Sequence, residues 1–203
     1  MARQAATDFF ADSLARVPAM AILRGAGAAE AVGVAEACWD AGIPLVEVSL
    51  SGDDALATLE AVCERARDVG RSAGAGTVLT PGQVRDAAAA GAAFAVAPGL
   101  DPDTVAAARD RRLPYLPGVA TPSEVQQALA LGCRTLKLFP ASTLGTEWLR
   151  SLAGPFPEAR FVAVGGIDAE SASDWLEAGA LAVGVGSALS AATLPRLIAA
   201  LAR

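Results

Sequence analysis

The amino-acid sequence predicts an α/β protein folded as one (β/α)8 barrel across residues 1–203. Eight short apolar segments alternate along the chain with longer, alanine-rich segments of helical periodicity. The apolar segments are almost uninterrupted, as expected of parallel strands that are buried on both faces. No linker and no shift in composition separates them, so they are expected to form a single domain. An open, doubly wound sheet satisfies the same alternation and is the alternative.

The order of the elements follows from the segments and from the turns between them. A short helix over residues 7–16 is predicted before the first strand. Three later helices are predicted to begin with a capping threonine or aspartate followed by proline, in the segments LTPGQ, LDPDT and ATPSE. Four helices are predicted to end at a glycine: Gly42, Gly91, Gly132 and Gly179. The eight predicted strands lie at 19–24, 44–50, 72–78, 93–99, 113–119, 135–140, 161–166 and 181–186.

The composition narrows the possible functions. The formal charge is −6, basic residues form no run, and aromatic residues are only 5% of the chain, which argues against a nucleic-acid partner. Histidine is absent, so a Ser-His-Asp triad and a histidine-based zinc site are excluded. Acid–base chemistry at neutral pH must therefore depend on a carboxylate, a lysine, a tyrosine, a cysteine or water.

The sequence also indicates a location. The longest uncharged stretch is too short and too rich in glycine to span a membrane, and the N-terminal residues lack the apolar core of a signal peptide. No membrane partner is therefore expected. Cys38, Cys63 and Cys133 are odd in number and far apart, as is typical of free thiols in a reducing compartment. We expect a cytoplasmic protein.

Lys137 is the only lysine, and every other basic side chain is an arginine. Strand alternation in TLKLF places Lys137 on one face, towards the barrel interior, with Leu136 and Leu138 on the other. Burial should lower the pKa of the amine, and a neutral amine attacks carbonyl groups, which a guanidinium does not. The alternative is that Lys137 is a chance survivor of a codon bias and forms a structural ion pair.

Other polar residues stand near predicted strand ends. Glu47 shares a strand face with Ser49, and an inward carboxylate among apolar neighbours has a raised pKa and can carry protons. A salt bridge to Arg24 or Lys137 is the structural alternative for Glu47. Arg24 itself ends the first strand, where it could bind a carboxylate. Thr77 offers a hydroxyl beside the glycines of GAGTV.

The last two strand ends carry glycines, in VGGID and GVGSAL. Backbone N–H groups at such loops, where a helix begins, form the phosphate site that barrels often have after these two strands. Each pair of glycines is weak evidence alone, but their occurrence on adjacent strands favours a phosphate-binding site.

The motifs as a set resemble one enzyme family, the class I aldolases of 2-keto-3-deoxy-6-phosphogluconate, of its 6-phosphogalactonate epimer and of 4-hydroxy-2-oxoglutarate. The resemblance extends from about Arg24 to Leu189. It implies a (β/α)8 barrel, a homotrimer, a phosphorylated 2-keto-3-deoxy sugar acid as the substrate, and no metal or organic cofactor. The segments that carry it are VEVSL, GAGTVLTPGQ, APG, PGVATPSE, LKLFPAS and VGGI.

The resemblance also implies roles for individual residues. By motif, Lys137 forms the Schiff base, Glu47 is the general acid and base, and Thr77 binds the substrate carboxylate. The residues implied to bind the phosphate are Gly165, Gly166, Gly186 and Ser187.

The chain departs from the phosphogluconate branch of that family at Ser51, where many of those enzymes have an arginine. This chain resembles the phosphogalactonate branch in two residues, the arginine on the first strand (Arg24) and the valine of VAVGG (Val164). The resemblance implies that Arg24 holds the substrate carboxylate. Val164, Pro98 and Phe139 are predicted to determine specificity. The rival hypotheses are another phosphate-binding barrel enzyme, such as a phosphosugar epimerase or a thiamin-phosphate synthase, and a non-catalytic phospho-sugar-binding or scaffold protein.

Overall fold

The structure, a computed structural model, describes residues 8–186, 189 and 193–201. Within them, parallel strands form one sheet in the order β5-β4-β3-β2-β1-β9-β8-β7-β6. The strands are β1 (Ala19–Leu23), β2 (Leu45–Ser49), β3 (Ser72–Gly76), β4 (Ala95–Val96), β5 (Tyr115–Leu116), β6 (Gly118–Val119), β7 (Thr135–Leu138), β8 (Arg160–Val164) and β9 (Ala182–Val185).

The sheet closes on itself through the segment 113–119. Its strands β5 and β6 lie at opposite ends of the sheet order, although only Pro117 separates them in the chain. The backbone N–H of Ala97, next to β4, donates to the carbonyl of Leu116 (3.0 Å), and the N–H of Lys137 donates to the carbonyl of Pro117 (2.8 Å). The segment is therefore one strand of a closed barrel, interrupted where proline has no N–H to donate. All eight predicted strands are present, and the (β/α)8 prediction is confirmed.

The helices after α1 lie around the outside of the barrel, and their first residues are capped largely as the sequence predicts. Thr121 and Glu124 form a complete capping box, and Asp101 caps its helix through the N–H of Thr104. Thr80 also caps its helix, although Gln83 turns back to the N–H of Leu79 instead of that of Thr80. The helices are α1 (Phe9–Leu14), α2 (Ala28–Asp40), α3 (Ala55–Asp68), α4 (Pro81–Ala89), α5 (Pro102–Asp110), α6 (Pro122–Ala130), α7 (Ala141–Leu144), α8 (Thr146–Leu152), α9 (Ala172–Glu177) and α10 (Leu194–Leu201).

Strand alternation divides the apolar side chains into two cores. The larger core lies between strands and helices and includes Leu136 and Leu138 of β7. The smaller core fills the barrel interior and includes Met20 and Ile22 of β1, with Val162 of β8. The valines of β2 also belong to the larger core, so the faces assigned from the sequence to β2 and β7 are correct. None of the helices in the described part of the chain has the length and hydrophobicity that crossing a bilayer requires.

Helix α1 closes the end of the barrel at which the strands begin. Phe10 of α1 packs edge-on against Phe94, with ring centroids 5.7 Å apart, inside the inner core. The carboxylate of Asp8 accepts a hydrogen bond from the hydroxyl of Thr135 (2.6 Å) and pairs with Arg160 (3.2 Å). The inner face of the barrel therefore opens at the carboxyl ends of the strands.

Candidate active site

Lys137 lies on the inner face of β7 and is only 4% exposed. Its neighbours in the sheet register are Gly118 on β6 and Val162 on β8. The amine Nζ lies 5.0 Å from the ring centroid of Phe139, which is on the same face of the chain nearer the open end. The side chain therefore points into the barrel from the direction that strand alternation predicts.

Burial lowers the pKa of the Lys137 amine below its ordinary value, because water no longer solvates the ammonium form. The carboxylate of Glu47 opposes this by raising the pKa, and the guanidinium of Arg24 lowers it further. The amine is therefore more readily neutral, and more readily nucleophilic, than an exposed lysine at the same pH.

Glu47 lies on the inner face of β2 and is 1% exposed. Its Oε2 is one of two buried side-chain polar atoms in the described part of the chain that have no hydrogen-bond partner. Burial raises the pKa of this carboxyl, and the positive charges of Lys137 and Arg24 lower it. A carboxyl group with a raised pKa and an oxygen that has no hydrogen-bond partner is suited to exchanging a proton with a bound molecule.

The structural alternatives for these two residues are not supported. The ion pairs found within the described ranges involve none of Lys137, Glu47 and Arg24. The two side chains influence each other's ionisation across the barrel without a direct salt bridge. An inward lysine and an inward carboxylate that remain unpaired are costly to bury, which favours a chemical role.

Thr77 follows β3 with φ +60°, an unusual conformation for a β-branched residue. Its hydroxyl is 2.9 Å from that of Ser49, which in turn lies 3.0 Å from the hydroxyl of Ser51. Ser49 and Ser51 also line a cavity of about 230 Å³ between the loops that follow β1 and β2. The three hydroxyls form a chain beside the open end of the barrel, and strain at Thr77 is typical of a functional position.

Arg24 follows β1 and is exposed at the open end. It lies close enough to influence the ionisation of both Lys137 and Glu47. Arg24, Glu47, Thr77 and Lys137 therefore gather at one end of the barrel, although four different strands carry them.

The predicted phosphate-binding glycines lie on two adjacent strands. Gly165 and Gly166 follow β8 with φ values of 100° and 73°, and Gly186 follows β9. The pair after β8 was predicted to open a helix, and this is wrong, because a turn closed by Asp168 and Ser171 precedes α9. Ser187 lies outside the described residues.

The remaining predicted residues are Phe139, which lies near the amine, and Val164 and Pro98, which lie on or beside the strands next to β7. The ring of Phe139 lies near Lys137 on one side and near Gly165 on the other, 3.1 Å from where a Cβ on that glycine would be. Val164 is 4% exposed and belongs to the inner core. The backbone of Pro98 fills the space beside Gly118, the register neighbour of Lys137. All three therefore line the inner face near Lys137 or its neighbours.

Sequence reasoning missed three features of this site. Ser49 is the central hydroxyl between Ser51 and Thr77, Gly76 lies directly under the carboxylate of Glu47, and Ser142 lies over Gly166. The shared strand face of Glu47 and Ser49 was the available signal for the first. No Asp, Glu or Cys side chains in the described ranges gather in threes as a metal site would require.

The closed barrel, its open carboxyl end and the buried amine and carboxylate define the class of protein as a barrel enzyme equipped for carbonyl chemistry. Comparison with known families identifies the particular enzyme family. Residues 11–196 match the family described as "Aldolase: KDPG and KHG aldolase", and the chain belongs to this family. KDPG is 2-keto-3-deoxy-6-phosphogluconate, and KHG is 4-hydroxy-2-oxoglutarate.

Individual relatives agree with the family assignment. The probable 2-dehydro-3-deoxy-6-phosphogalactonate aldolase of Rhizobium meliloti is 35% identical over 85% of this chain and 81% of its own length. The crystal structure of a 4-hydroxy-2-oxoglutarate/phosphogluconate aldolase is 38% identical, with a TM-score of 0.84 over 95% of this chain and 97% of the other. The phosphogluconate aldolase of Legionella pneumophila, solved with pyruvate captured as a covalent carbinolamine, is 31% identical, with a TM-score of 0.82 over 94% of both chains.

These findings confirm the family resemblance and the prediction that the chain is an aldolase, hence a lyase. The rival hypotheses of a phosphosugar epimerase, a thiamin-phosphate synthase and a non-catalytic protein are not supported. The role of each site residue stays a prediction.

Proposed function

We propose that the protein is a class I aldolase that cleaves a 2-keto-3-deoxy-6-phospho sugar acid into pyruvate and glyceraldehyde 3-phosphate. The observation that carries the proposal is the buried, unpaired Lys137 across the barrel from the buried Glu47. Membership of the aldolase family supports it, as does the carbinolamine captured in the Legionella relative.

The chemistry begins at the amine. Neutral Lys137 attacks the C2 ketone to give a carbinolamine, which takes up a proton from solvent and loses water to become a protonated imine. Glu47 removes the proton of the C4 hydroxyl, the C3–C4 bond breaks, and its electrons move into the imine to form an enamine. Glyceraldehyde 3-phosphate leaves as the aldehyde product. Glu47 then returns a proton to C3, and hydrolysis of the imine releases pyruvate and regenerates Lys137.

Direct assay of pyruvate release tests the proposed function. The purified protein is incubated with the phosphogluconate and the phosphogalactonate substrates in turn, and pyruvate is measured with a coupled dehydrogenase. Release of pyruvate and glyceraldehyde 3-phosphate in equal amounts from either epimer is expected. The proposal fails if neither epimer yields pyruvate while Lys137 is intact.

Arg24 and Thr77 are proposed to hold the substrate carboxylate. Hydrogen bonds to charged groups contribute about 1.5–3 kcal/mol, so Arg24→Gln is expected to raise the KM for substrate by about tenfold to a hundredfold. The substitution also removes a positive charge that lowers the pKa of Lys137. That pKa should rise, and because only the neutral amine reacts, the half-maximal rate of imine formation at saturating pyruvate should move to higher pH.

Arg24→Lys is the matched control, since it keeps the charge but loses the two-pronged guanidinium. It should raise KM without moving the pH profile. If Arg24→Gln changed neither KM nor the pH profile, the carboxylate would have to be bound elsewhere, and Thr77 with the nearby hydroxyls would be the next candidates.

Val164 is proposed to favour the phosphogalactonate epimer, because it presents an apolar wall where a threonine hydroxyl could bond the C4 or C5 oxygen. We expect wild type to cleave the phosphogalactonate at least as well as the phosphogluconate, with some turnover of both. A neutral hydrogen bond contributes about 0.5–1.5 kcal/mol, so Val164→Thr should shift the ratio of kcat/KM towards the phosphogluconate by up to about tenfold. Kinetics on both epimers measure the shift.

Val164→Ala is the control for a change in packing, since it removes side-chain volume without adding a hydroxyl. Val164→Ala should not shift the ratio of kcat/KM towards the phosphogluconate. A strong wild-type preference for the phosphogluconate that Val164→Thr left unchanged would contradict the specificity argument without affecting the aldolase assignment.

Gly165, Gly166, Gly186 and Ser187 are proposed to bind the substrate phosphate, and the position of the first three at the ends of adjacent strands supports this.

We also propose that the enzyme works as a homotrimer in the cytoplasm. The three unpaired cysteines support a reducing compartment, and burial raises the pKa of Cys38 and Cys63 to about 11, which keeps these thiols protonated. Light scattering coupled to size-exclusion chromatography tests the trimer.

A further inference from the structure

The carboxylate of Glu47 lies against a residue that has no side chain. A Cβ built on Gly76 would be 1.8 Å from Oε1 of Glu47, 2.5 Å from its Cδ and 2.6 Å from its Cγ. All three distances are under 3.0 Å, a separation that a real Cβ essentially never has from a non-bonded heavy atom. Glu47 can therefore adopt its observed position only because residue 76 is glycine.

The register of the sheet shows that this contact is not the trivial result of two facing residues. Glu47 is paired in the sheet with Gly74, whereas Gly76 is paired with Ser49. The side chain of Glu47 thus leans along the barrel, towards the open end, to reach the space above Gly76. The space above Gly74 is already filled, because a Cβ there would be 2.6 Å from the ring of Phe94, which is itself fully buried.

Two neighbouring glycines of β3 therefore have different occupants. Phe94 fills the position nearer the closed end, and the carboxylate of Glu47 fills the position nearer the open end. Phe94 blocks the alternative position of the carboxylate, and Gly76 provides the one that remains. The φ of Gly76 is not positive, so the backbone itself would accept alanine, and the need for glycine at this position is steric.

We propose that Gly76 is a positioning residue for the reaction: the slot that its missing side chain leaves holds the carboxylate of Glu47 in the barrel with Oε2 free of protein partners. The role in catalysis rests on the proposed function, in which Glu47 carries the proton. The steric dependence of Glu47 on Gly76 does not.

Gly76→Ala tests the proposal. The new methyl group should displace the flexible end of Glu47 without unfolding the barrel. Imine formation at Lys137, measured by borohydride trapping of pyruvate, should persist. Exchange of the pyruvate methyl protons should slow by about a hundredfold, the loss typical of a catalytic group misplaced by about 1 Å. The pH at which the residual exchange rate rises should move down, since a carboxyl displaced towards water loses the burial that raises its pKa.

The matched control is Gly74→Ala, which adds a methyl to the same face of the same strand but meets Phe94. It should lower the melting temperature without shifting the pH dependence of exchange. A double-mutant cycle with Glu47→Ala completes the test. Any loss of melting temperature that Gly76→Ala causes in wild type should largely disappear when Glu47 is already alanine. The loss that Gly74→Ala causes should remain in that same Glu47→Ala background.

The outcomes separate this proposal from the function on which it rests. Wild-type exchange in Gly76→Ala, or a cycle in which Gly76→Ala and Glu47→Ala act independently, would overturn the positioning role. Absence of an imine in the wild-type protein would overturn the aldolase mechanism, and the cycle would still decide whether Gly76 holds Glu47. If Gly76→Ala alone does not fold, recovery of folding in the double variant supports the steric dependence, and no recovery overturns it.

Discussion

Replacing Lys137 with arginine is expected to abolish imine formation and to lower turnover by about 10⁴-fold or more, as for the loss of a catalytic nucleophile. Arginine keeps the positive charge and nearly the length of the side chain, but its guanidinium stays protonated and does not attack a ketone. If Lys137 were merely a structural cation, Lys137→Arg would retain most of the activity. The substitution therefore separates the chemical role of the amine from an electrostatic one.

The measurement is reductive trapping. Wild-type protein treated with pyruvate and borohydride should gain one reduced adduct, which mass spectrometry should locate on the peptide that contains Lys137. Since the chain has no other lysine, the N-terminal amine is the only other primary amine that could react. An adduct confined to that terminus, or none at all, would contradict the class I mechanism.

Arg134→Lys is a useful control, because it introduces a second lysine three residues away, at an exposed position. An exposed amine keeps its ordinary pKa and is largely protonated near pH 7. Trapping should therefore remain at Lys137. Equal labelling of both lysines would show that burial does not activate Lys137.

The sequence predicted most of the fold because the fold depends on local patterns. Apolar strands alternate with helices, and capping residues such as Thr121 and Asp101 mark where helices begin. These signals are contained within a few neighbouring residues, so they can be identified without knowledge of the tertiary structure. The division of the fifth strand at Pro117 is also local in origin, since proline has no N–H, but its consequence, two strand segments at opposite ends of the sheet order, appears only in the closed barrel.

The site could be predicted only in part, for a physical reason. The inward direction of Glu47 and Lys137 follows from alternation within one strand. The slot at Gly76 and the hydroxyl chain through Ser49 to Thr77 depend on the register between two strands, which no pattern within one segment specifies. The placement of glycines directly after β8 and β9 was predicted, but the turn between Gly166 and α9 was not, because it depends on the backbone N–H and hydroxyl of Ser171 donating to Asp168.

Glu47→Gln is expected to separate imine formation from the proton transfers that follow it. Glutamine has nearly the same shape, so it should occupy the slot over Gly76, but its amide cannot accept and return a proton. Cleavage of the C3–C4 bond and exchange of the pyruvate methyl protons should both slow by about 10²–10⁴-fold, the usual contribution of a general acid and base. Trapping of pyruvate on Lys137 should remain measurable, because attack on the ketone requires only the neutral amine.

The same substitution predicts a shift in the pH profile of trapping. The carboxylate of Glu47 raises the pKa of Lys137, so its removal should lower that pKa and make the amine neutral at lower pH. Half-maximal trapping should therefore move to lower pH in Glu47→Gln, opposite to the shift expected for Arg24→Gln. A common direction for both variants would show that the charges of Glu47 and Arg24 do not control the amine as the structure indicates. Near wild-type turnover in Glu47→Gln would show that another group carries the proton, and because the chain has no histidine, a bound water would be the next candidate.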